Sequence, residues 1–430
     1  MARREAVTAV VIGAGLRGRH TYGAQALAYP DRLRVVGVAE PDPLRRAAMA
    51  REHGLASGAC FDDWRPLLDA PRRADAAIVA TSDTLHVDPA LAALERGYHV
   101  LLEKPMAPDP VDCVRVVDAA ERAGCILQIS HVLRYAPLYA RVAELLAERR
   151  LGRLVQLSLE EHVAGWHMAH SFVRGRFRKR SLAAPFVLAK SCHDLDLLCW
   201  FAGSSPRRVA SFGDLRGFHA DAAPAGAPER CSDGCPVQAE CPYDAERFYL
   251  GPDEKLASIW PWCDVSSDPS RESRRHGLET GPYGRCVYRC DNDVADHQVV
   301  SVDFGDGLTG SFGVHGHASR ESRSLRIVGS EGELRGVLDE GWLEWSRPGA
   351  FEAQRSRFDT SPIGHFGGDR ELLEHFCRAV ALGTPEAVLA SGRSALESHL
   401  LGFAAERSRE RGEVVDVAEY RAEVELRLGA

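Results

Sequence analysis

The stretch Val7-Thr8-Ala9-Val10-Val11-Ile12-Gly13-Ala14-Gly15-Leu16-Arg17-Gly18 constrains this chain more than any other. Its first six residues are β-favouring and almost wholly apolar, as in a strand covered on both faces of a parallel sheet. Three glycines follow at once, and a helical pattern then runs to about Tyr29. Strand, glycine-rich turn and helix in this order form the phosphate turn of a dinucleotide-binding unit. Gly13 permits the tight turn, Gly15 lets a pyrophosphate approach the backbone, and Gly18 lets the helix pack closely. Leu16 and Arg17 complete the turn, and the helix N-terminus offers N–H donors to the phosphates. Glu40 ends the second strand, 22 residues after Gly18. A carboxylate there accepts hydrogen bonds from ribose hydroxyls and repels a 2′-phosphate, which favours NAD. Arg45 and Arg46 leave NADP as the alternative.

Further strands are expected at Leu33–Ala39, Ala74–Thr81, Tyr98–Leu102 and Ile126–His131, separated by helical patterns at 43–53, 89–96 and 110–123. Such alternation predicts an α/β doubly wound parallel sheet over residues 1–134. After Pro137 the pattern changes. A helix near 138–149 leads to strands at 154–160, 299–304, 309–314, 324–328 and 342–345, with helices at 369–382 and 392–409. Turn signals such as Gly305-Asp306-Gly307 link neighbouring strands, so residues 135–430 are expected to form an α+β domain on a large, mostly antiparallel open sheet. Residues 214–292 interrupt it with Pro, Gly, Cys and Asp and little apolar periodicity. A structureless loop that long is unusual, so the segment is disordered or held by something other than an apolar core.

Composition excludes several classes. At 45% hydrophobic and 27% charged the chain is ordinary for a globular protein, and its net charge of −8 offers no nucleic acid an electrostatic footprint. No apolar run approaches the roughly 20 residues of a membrane span. The N-terminus enters a strand without a targeting segment, which points to the cytoplasm.

Two more segments carry chemistry. Glu103-Lys104-Pro105 follows one expected strand, and Ala80-Thr81-Ser82 with His86 follows the strand before it. Together with the glycine turn they resemble the Gfo/Idh/MocA oxidoreductase family across nearly the whole chain. The resemblance implies that Lys104 lies beside nicotinamide and substrate hydroxyl, that Pro105 is cis, and that Thr81, His86 and Glu103 line the cofactor. The family's Asp-x-Gly-x-His-x-x-Asp run on a helix reads here Ala189-Lys190-Ser191-Cys192-His193-Asp194-Leu195-Asp196. His193 matches the acid/base histidine and Asp196 the last aspartate. Ala189 replaces the first aspartate, and Lys190 is the newcomer beside it. Independently of the family, removing hydride from an alcohol carbon requires its hydroxyl proton to leave, and a histidine is suited to take it.

Substrate contacts are expected from Trp166, His167 and His170, from Lys190 and Asp194, from Tyr135 beside Arg134, and from His297. An indole with histidines suits a polyhydroxylated ligand. His162, His167 and His170 are also a metal alternative. The basic run Arg174, Arg176, Arg178, Lys179 and Arg180 suits a cofactor phosphate, an anionic substrate or plain solvent. His365 and Gly367-Gly368-Asp369 resemble a family element that opens a helix by the active site.

Six of the twelve cysteines, at 60, 113, 125, 192, 199 and 377, read as small apolar residues. Cys231, Cys235, Cys241, Cys286 and Cys290 cluster in the insertion and suggest a structural zinc knot, with free thiols, an iron–sulfur cluster or disulfides as alternatives. The fourth ligand would be Cys286 or Cys290; Cys263 fits less well.

The expected activity is NAD-dependent hydride removal from a secondary hydroxyl of a sugar, glycoside or cyclitol, with Lys104 and His193 as the catalytic pair. One alternative is a glycoside hydrolase that keeps NAD bound, oxidises C3 transiently, eliminates and re-reduces, with His167, His170 or His297 as the extra base. Another is a non-catalytic NAD-bound sensor. The family resemblance also implies a homo-oligomer.

Overall fold

The computed structural model describes residues 6–361, 365–385 and 388–429. The first five residues, on which the reading of the N-terminus rests, lie outside these.

The N-terminal strands are β1 (Val7–Ile12), β2 (Leu33–Ala39), β3 (Cys60–Phe61), β4 (Ala76–Val79), β5 (His99–Leu102) and β6 (Leu127–Ile129). They form one parallel sheet in the order β3-β2-β1-β4-β5-β6. The chain winds outward both ways from β1 and β4. The crevice beyond their C-terminal ends is therefore the switch point where such sheets bind ligands. β1 is buried almost throughout, as its apolar run requires. The two residues of β3 and the helix Trp64–Asp69 were not anticipated, because a two-residue strand carries no periodicity.

The second sheet has nine strands: β7 (Leu154–Ala164), β8 (Arg208–Asp214), β9 (His297–Asp303), β10 (Thr309–Ala318), β11 (Ser322–Gly329), β12 (Glu333–Val337), β13 (Trp342–Ser346), β14 (Gln354–Arg357) and β15 (Val415–Asp416). Their order is β14-β13-β12-β11-β7-β10-β9-β8-β15. Only the β7–β10 pair is parallel among these neighbours. One face packs on the helices Cys192–Ala202 and Gly392–Arg411. The other stays open, which is why β10 alternates buried and half-exposed residues.

Late in the chain the helix Gly368–Leu382 returns to the first sheet. Leu372 and Phe376 enter the core around β1 and β2, and Ile129 N–H donates to Ala390 O (2.9 Å). The two sheets therefore share a seam, and the site lies along it.

The insertion is ordered, which corrects the expectation for residues 214–292. Ala245, Tyr249, Leu250 and Leu278 form a small apolar core, half-covered by Phe248, Trp262 and Tyr283. The Arg274 guanidinium, only 2% exposed, donates to the carbonyls of Tyr249, Pro252 and Pro269. Each of several short helices contributes one or two apolar residues, so no segment shows a period. Among the described residues no helix is long and apolar enough to cross a membrane.

Candidate active site

The glycine turn has the geometry of a phosphate cradle. Gly13 sits at φ +91°, and a Cβ there would lie 2.6 Å from Ala80 O. A Cβ on Gly18 would lie 1.8 Å from Gly13 O, whereas one on Gly15 would meet nothing within 4 Å. Gly13 and Gly18 are thus demanded by the fold, and the open side of Gly15 is where a pyrophosphate would lie. Glu40, 6% exposed, accepts the N–H of Ala14 (2.7 Å) and of Asp42 (3.0 Å). It ties the end of β2 to the turn, and its remaining lone pairs are those a ribose would meet. Arg46 donates to Glu40 O and Pro41 O, so it is engaged with backbone.

Arg17 and Glu103 serve the cleft differently from the expectation. Arg17 pairs with Glu103 (2.5 Å) and Asp369 (2.9 Å) and donates to Tyr22 Oη (2.8 Å). Tyr22 Oη in turn meets Glu103 (2.5 Å) and Ser130 Oγ (2.8 Å). Burial alone would push both carboxyls up, but the Arg17 guanidinium holds each below the usual carboxylate range. The polar atoms of this network face each other, so it fixes the loop holding Lys104. His86 does the same work: its Nδ1 stands 2.8 Å from Pro105 O and its Nε2 3.2 Å from Thr81 O. Thr81 Oγ1 donates to Leu85 O (2.9 Å). The Lys104–Pro105 peptide is cis.

Lys104 reaches across the seam and donates from Nζ to Ala189 O (3.1 Å). A main-chain carbonyl thus meets the lysine from the position where the family pattern has its first aspartate. His193, 6% exposed, lies in the first turn of the helix Cys192–Ala202, and its Nδ1 has no hydrogen-bond partner among the described residues. Burial, then the Lys104 ammonium, hold its titration well below the ordinary histidine value. His131 lies edge-on at 5.7 Å and His365 at 6.4 Å. His365 Nδ1 stands 2.9 Å from Asp369 Oδ2, tying the helix-opening element to the site.

Below His193, Asp196 is fully buried and receives Arg134 Nε (2.6 Å) and Nη2 (2.7 Å). Burial pushes that carboxyl up, and Arg134 outweighs it, keeping the group ionised. His399 accepts the Met106 N–H at Nε2 (2.9 Å) and donates from Nδ1 to Ala395 O (2.7 Å), which clamps the segment after Pro105. His131 and His399 were not singled out from sequence. Arg134 was named there only for its neighbour Tyr135.

The substrate side holds a second ion network. Lys190 Nζ lies 3.0 Å from Glu161 Oε1, and Arg323 contacts Glu161 and Asp194, the latter at 3.1 Å. Ser191 Oγ donates to Glu161 Oε2 (2.8 Å). Asp194 is therefore bound to Arg323. His167 donates from Nδ1 to Glu321 (2.9 Å); burial and then Lys190 lower its titration to about 4. Trp166 stacks on His167 and Phe248 and meets Trp260 at 5.6 Å.

Other expected contacts are absent from this group. His170, 1% exposed, is locked between Tyr249 Oη (2.8 Å) and Asp264 (3.2 Å) and stacks on Tyr283, because the insertion closes over it. Tyr135 is buried in the core beside the helix Gly368–Leu382. His297 stands in register with His315 and His162 on the open sheet face, bound to Asp296 (2.9 Å). In the basic run, Arg178 and Lys179 join Arg285 on Asp291, and Arg174 is buried against Arg285 O and Tyr243 O. These residues tie the insertion to the domain.

Cys231, Cys235, Cys241 and Cys286 line one cavity of about 20 Å³ with Arg174. Cys290 does not; its thiol faces Cys286 O (3.3 Å). All twelve cysteines are free thiols. Among the described residues no group of three or more His, Cys, Asp or Glu side chains is arranged to hold a metal ion. The expectations of zinc on Cys231, Cys235, Cys241, Cys286 and Cys290, and of a metal at His162, His167 and His170, thus find no site. Cys231 instead accepts N–H groups from Arg174 and Ala245, and burial pushes Cys241 and Cys286 up.

Comparison with known proteins follows the same division of the chain. YteT of Bacillus subtilis (strain 168), named as an oxidoreductase, is 27% identical over 368 residues, covering 80% of this chain and 82% of its own. Inositol 2-dehydrogenase 2 of Saccharopolyspora erythraea is 31% identical over 195 residues, 45% of this chain and 53% of that one. The chain thus spans only about half of that relative. Levoglucosan dehydrogenase, solved with NADH and levoglucosan, superposes with a TM-score of 0.71 at 18% identity, over 96% of this chain and 100% of the other, and so shares the fold. The family profile "Oxidoreductase family, NAD-binding Rossmann fold" matches residues 7–131, and its partner "Oxidoreductase family, C-terminal alpha/beta domain" matches residues 143–417. This chain belongs to the Gfo/Idh/MocA family of NAD-binding oxidoreductases.

Proposed function

We propose that this protein is a dehydrogenase that oxidises a secondary hydroxyl of a sugar, glycoside or cyclitol. The observation that carries the reading is the meeting of Lys104 with the His193 segment across the seam, through Ala189 O at 3.1 Å. Bound NAD supplies the hydride acceptor. Gly13, Gly15 and Gly18 would cradle its pyrophosphate and Glu40 its ribose, which selects NAD over NADP. Lys104 orients the hydroxyl and stabilises negative charge on its oxygen. His193 takes the proton on a ring nitrogen, and burial beside Lys104 keeps that ring neutral and ready. Such a positioned base is worth roughly 10²–10⁴-fold. Asp196 and Arg134 hold the floor of the site rigid beneath it.

The substrate class follows the relatives, which are named for inositol and levoglucosan oxidation. Transient oxidation with bond cleavage needs one more base. Of the three candidates, His170 is locked, His297 lies on the open face and His167 is bound to Glu321, so net oxidation requires fewer groups. A screen of sugars, glycosides and cyclitols with NAD, read as NADH absorbance, tests the reading. Turnover of at least one class is expected. Glycoside cleavage without NADH, or neither signal from NAD-loaded protein, would overturn it.

A further inference from the structure

A base that takes a proton in each turnover must lose it before the next, so a base as enclosed as His193 needs a route to water. Two imidazoles flank it, each beside a carboxylate. On the inner side His131 meets the His193 ring edge-on at 5.7 Å and stands 3.7 Å from Asp196 Oδ1. His131 is fully buried, and neither ring nitrogen has a hydrogen-bond partner among the described residues. His399 lies beyond it at 5.4 Å, also buried. Burial holds the titration of His131 down to about 3, so this side is a dead end for a proton. On the outer side the His365 ring lies 6.4 Å from that of His193. The His365 side chain is 44% exposed, whereas the Asp369 carboxylate bound to it is only 3% exposed.

The surroundings of His365 suit a proton carrier. Asp369 Oδ2 lies 2.9 Å from its Nδ1, and Arg17 pairs with the other oxygen of that carboxylate. A donor bond from Nδ1 fixes the tautomer and leaves Nε2 bare to accept. The other cation near His193, Lys104, donates from Nζ to Ala189 O. The backbone presenting the ring is held in an unusual form. His365 and Phe366 lie in the left-handed region, at φ +48° and +58°, and Gly367 follows at +88°. Two successive side-chain-bearing residues there cost energy, and such strain persists where packing enforces it. Phe366 packs on the main core, and a Cβ on Gly368 would lie 2.5 Å from Val132 O. The turn is thus pressed against the segment that carries His131 and Arg134. One water bridges a gap of this size between rings, since its two hydrogen bonds span roughly 5 Å.

We infer that His365 receives the proton from His193 through one bridging water and releases it to solvent, resetting the enclosed base after each hydride transfer. This rests on the dehydrogenase reading and completes its proton path. The substrate O–H bond breaks toward His193 and its C–H bond breaks as hydride toward NAD, giving a ketone and NADH. The proton then moves from His193 through water to His365 Nε2 and on to bulk water, with no further change of oxidation state. His365 acts through His193 and after the hydride step, so it governs kcat rather than kcat/KM.

The test is stopped-flow on NAD-loaded protein, following NADH absorbance and, with a pH indicator in weak buffer, the released proton. Methyl β-glucoside, levoglucosan and myo-inositol represent the three substrate classes, and the one that gives NADH is used. In wild type the proton is expected to reach solvent together with NADH. In His365→Ala and His365→Gln the first turnover of NADH should slow less than threefold, while proton release and kcat fall about tenfold or more. Free imidazole should restore both. Glutamine keeps a hydrogen-bonding side chain that exchanges no proton, so a merely structural part for His365 predicts recovery in that variant. Proton release that keeps pace with NADH in the variants, or a loss that imidazole leaves uncorrected, would overturn the relay. So would a wild-type proton that lags NADH until imidazole is added, an outcome that needs no variant to fold. In each of these cases NADH still forms and the dehydrogenase reading stands. If none of the three probes gives NADH in wild type, that reading falls and takes the relay with it.

Discussion

Two buried ion networks flank Lys104, and they are built around different centres. On the cofactor side one guanidinium, Arg17, serves two carboxylates, Glu103 and Asp369. On the substrate side two cations, Lys190 and Arg323, share the carboxylate of Glu161, and Asp194 lies within reach of Arg323. In the first network Tyr22 and Ser130 cover Glu103, and His365 meets Asp369. This network acts as a structural clamp on the Glu103-Lys104-Pro105 loop. In the second, Lys190 Nζ has Glu161 as its sole partner among the described residues. Two clusters of similar composition thus differ in what sits at the centre, a guanidinium in one and a carboxylate in the other.

The comparison breaks most visibly at Arg17. Arg17→Met strands two buried carboxylates and is expected to cost about 3–5 kcal/mol of stability, read by thermal or denaturant unfolding. Glu161→Gln should cost less, about 1–3 kcal/mol, because Asp194 can ionise and take over Arg323. If the order were reversed, the substrate-side network would be the clamp.

Burial and the Lys104 ammonium together also fix a pH profile. A histidine base works in its neutral form, so activity is retained above its titration point and lost below it. Burial and Lys104 place that point well under the ordinary value of about 6.5. The acid limb of kcat/KM is therefore expected well below the ordinary histidine value of 6.5, with little loss between pH 8 and 6.5. A limb centred at 6.5 would show that His193 lies outside this field. The smallest effect is expected at Glu40: Glu40→Gln should narrow the preference for NAD over NADP about tenfold, a change near 1.4 kcal/mol. The readout is the ratio of the two cofactors' binding constants.

What the sequence revealed tracks how local each feature is. β1, the glycine turn and β2 are contiguous apolar runs with a fixed turn between them, and they stood out at once. Lys104 and His193 were found by their motifs. β14, Gln354–Arg357, is exposed along its whole length and offers no alternation to read. Glu161 and Arg323 are neighbours only because β7 and β11 pair in that register, and no spacing along the chain announces it. The insertion misled because its cysteines are close in sequence while its apolar residues are scattered. The fold gathers Tyr249, Leu250 and Leu278 into a core and gives the thiols N–H donors and packing instead of a metal. Arg17 was legible as a turn residue, but its partner Asp369 lies more than 300 residues away.

The central claim is that Lys104 and His193 together remove a proton from a carbohydrate hydroxyl as hydride leaves for NAD. The direct measurement is single-turnover NADH formation on a verified substrate by wild type and Lys104→Ala, with bound NAD quantified in both. NAD retained in both proteins, with the variant slowed by about 10³-fold or more, is the predicted result. An unchanged rate in Lys104→Ala with NAD still bound would contradict the account.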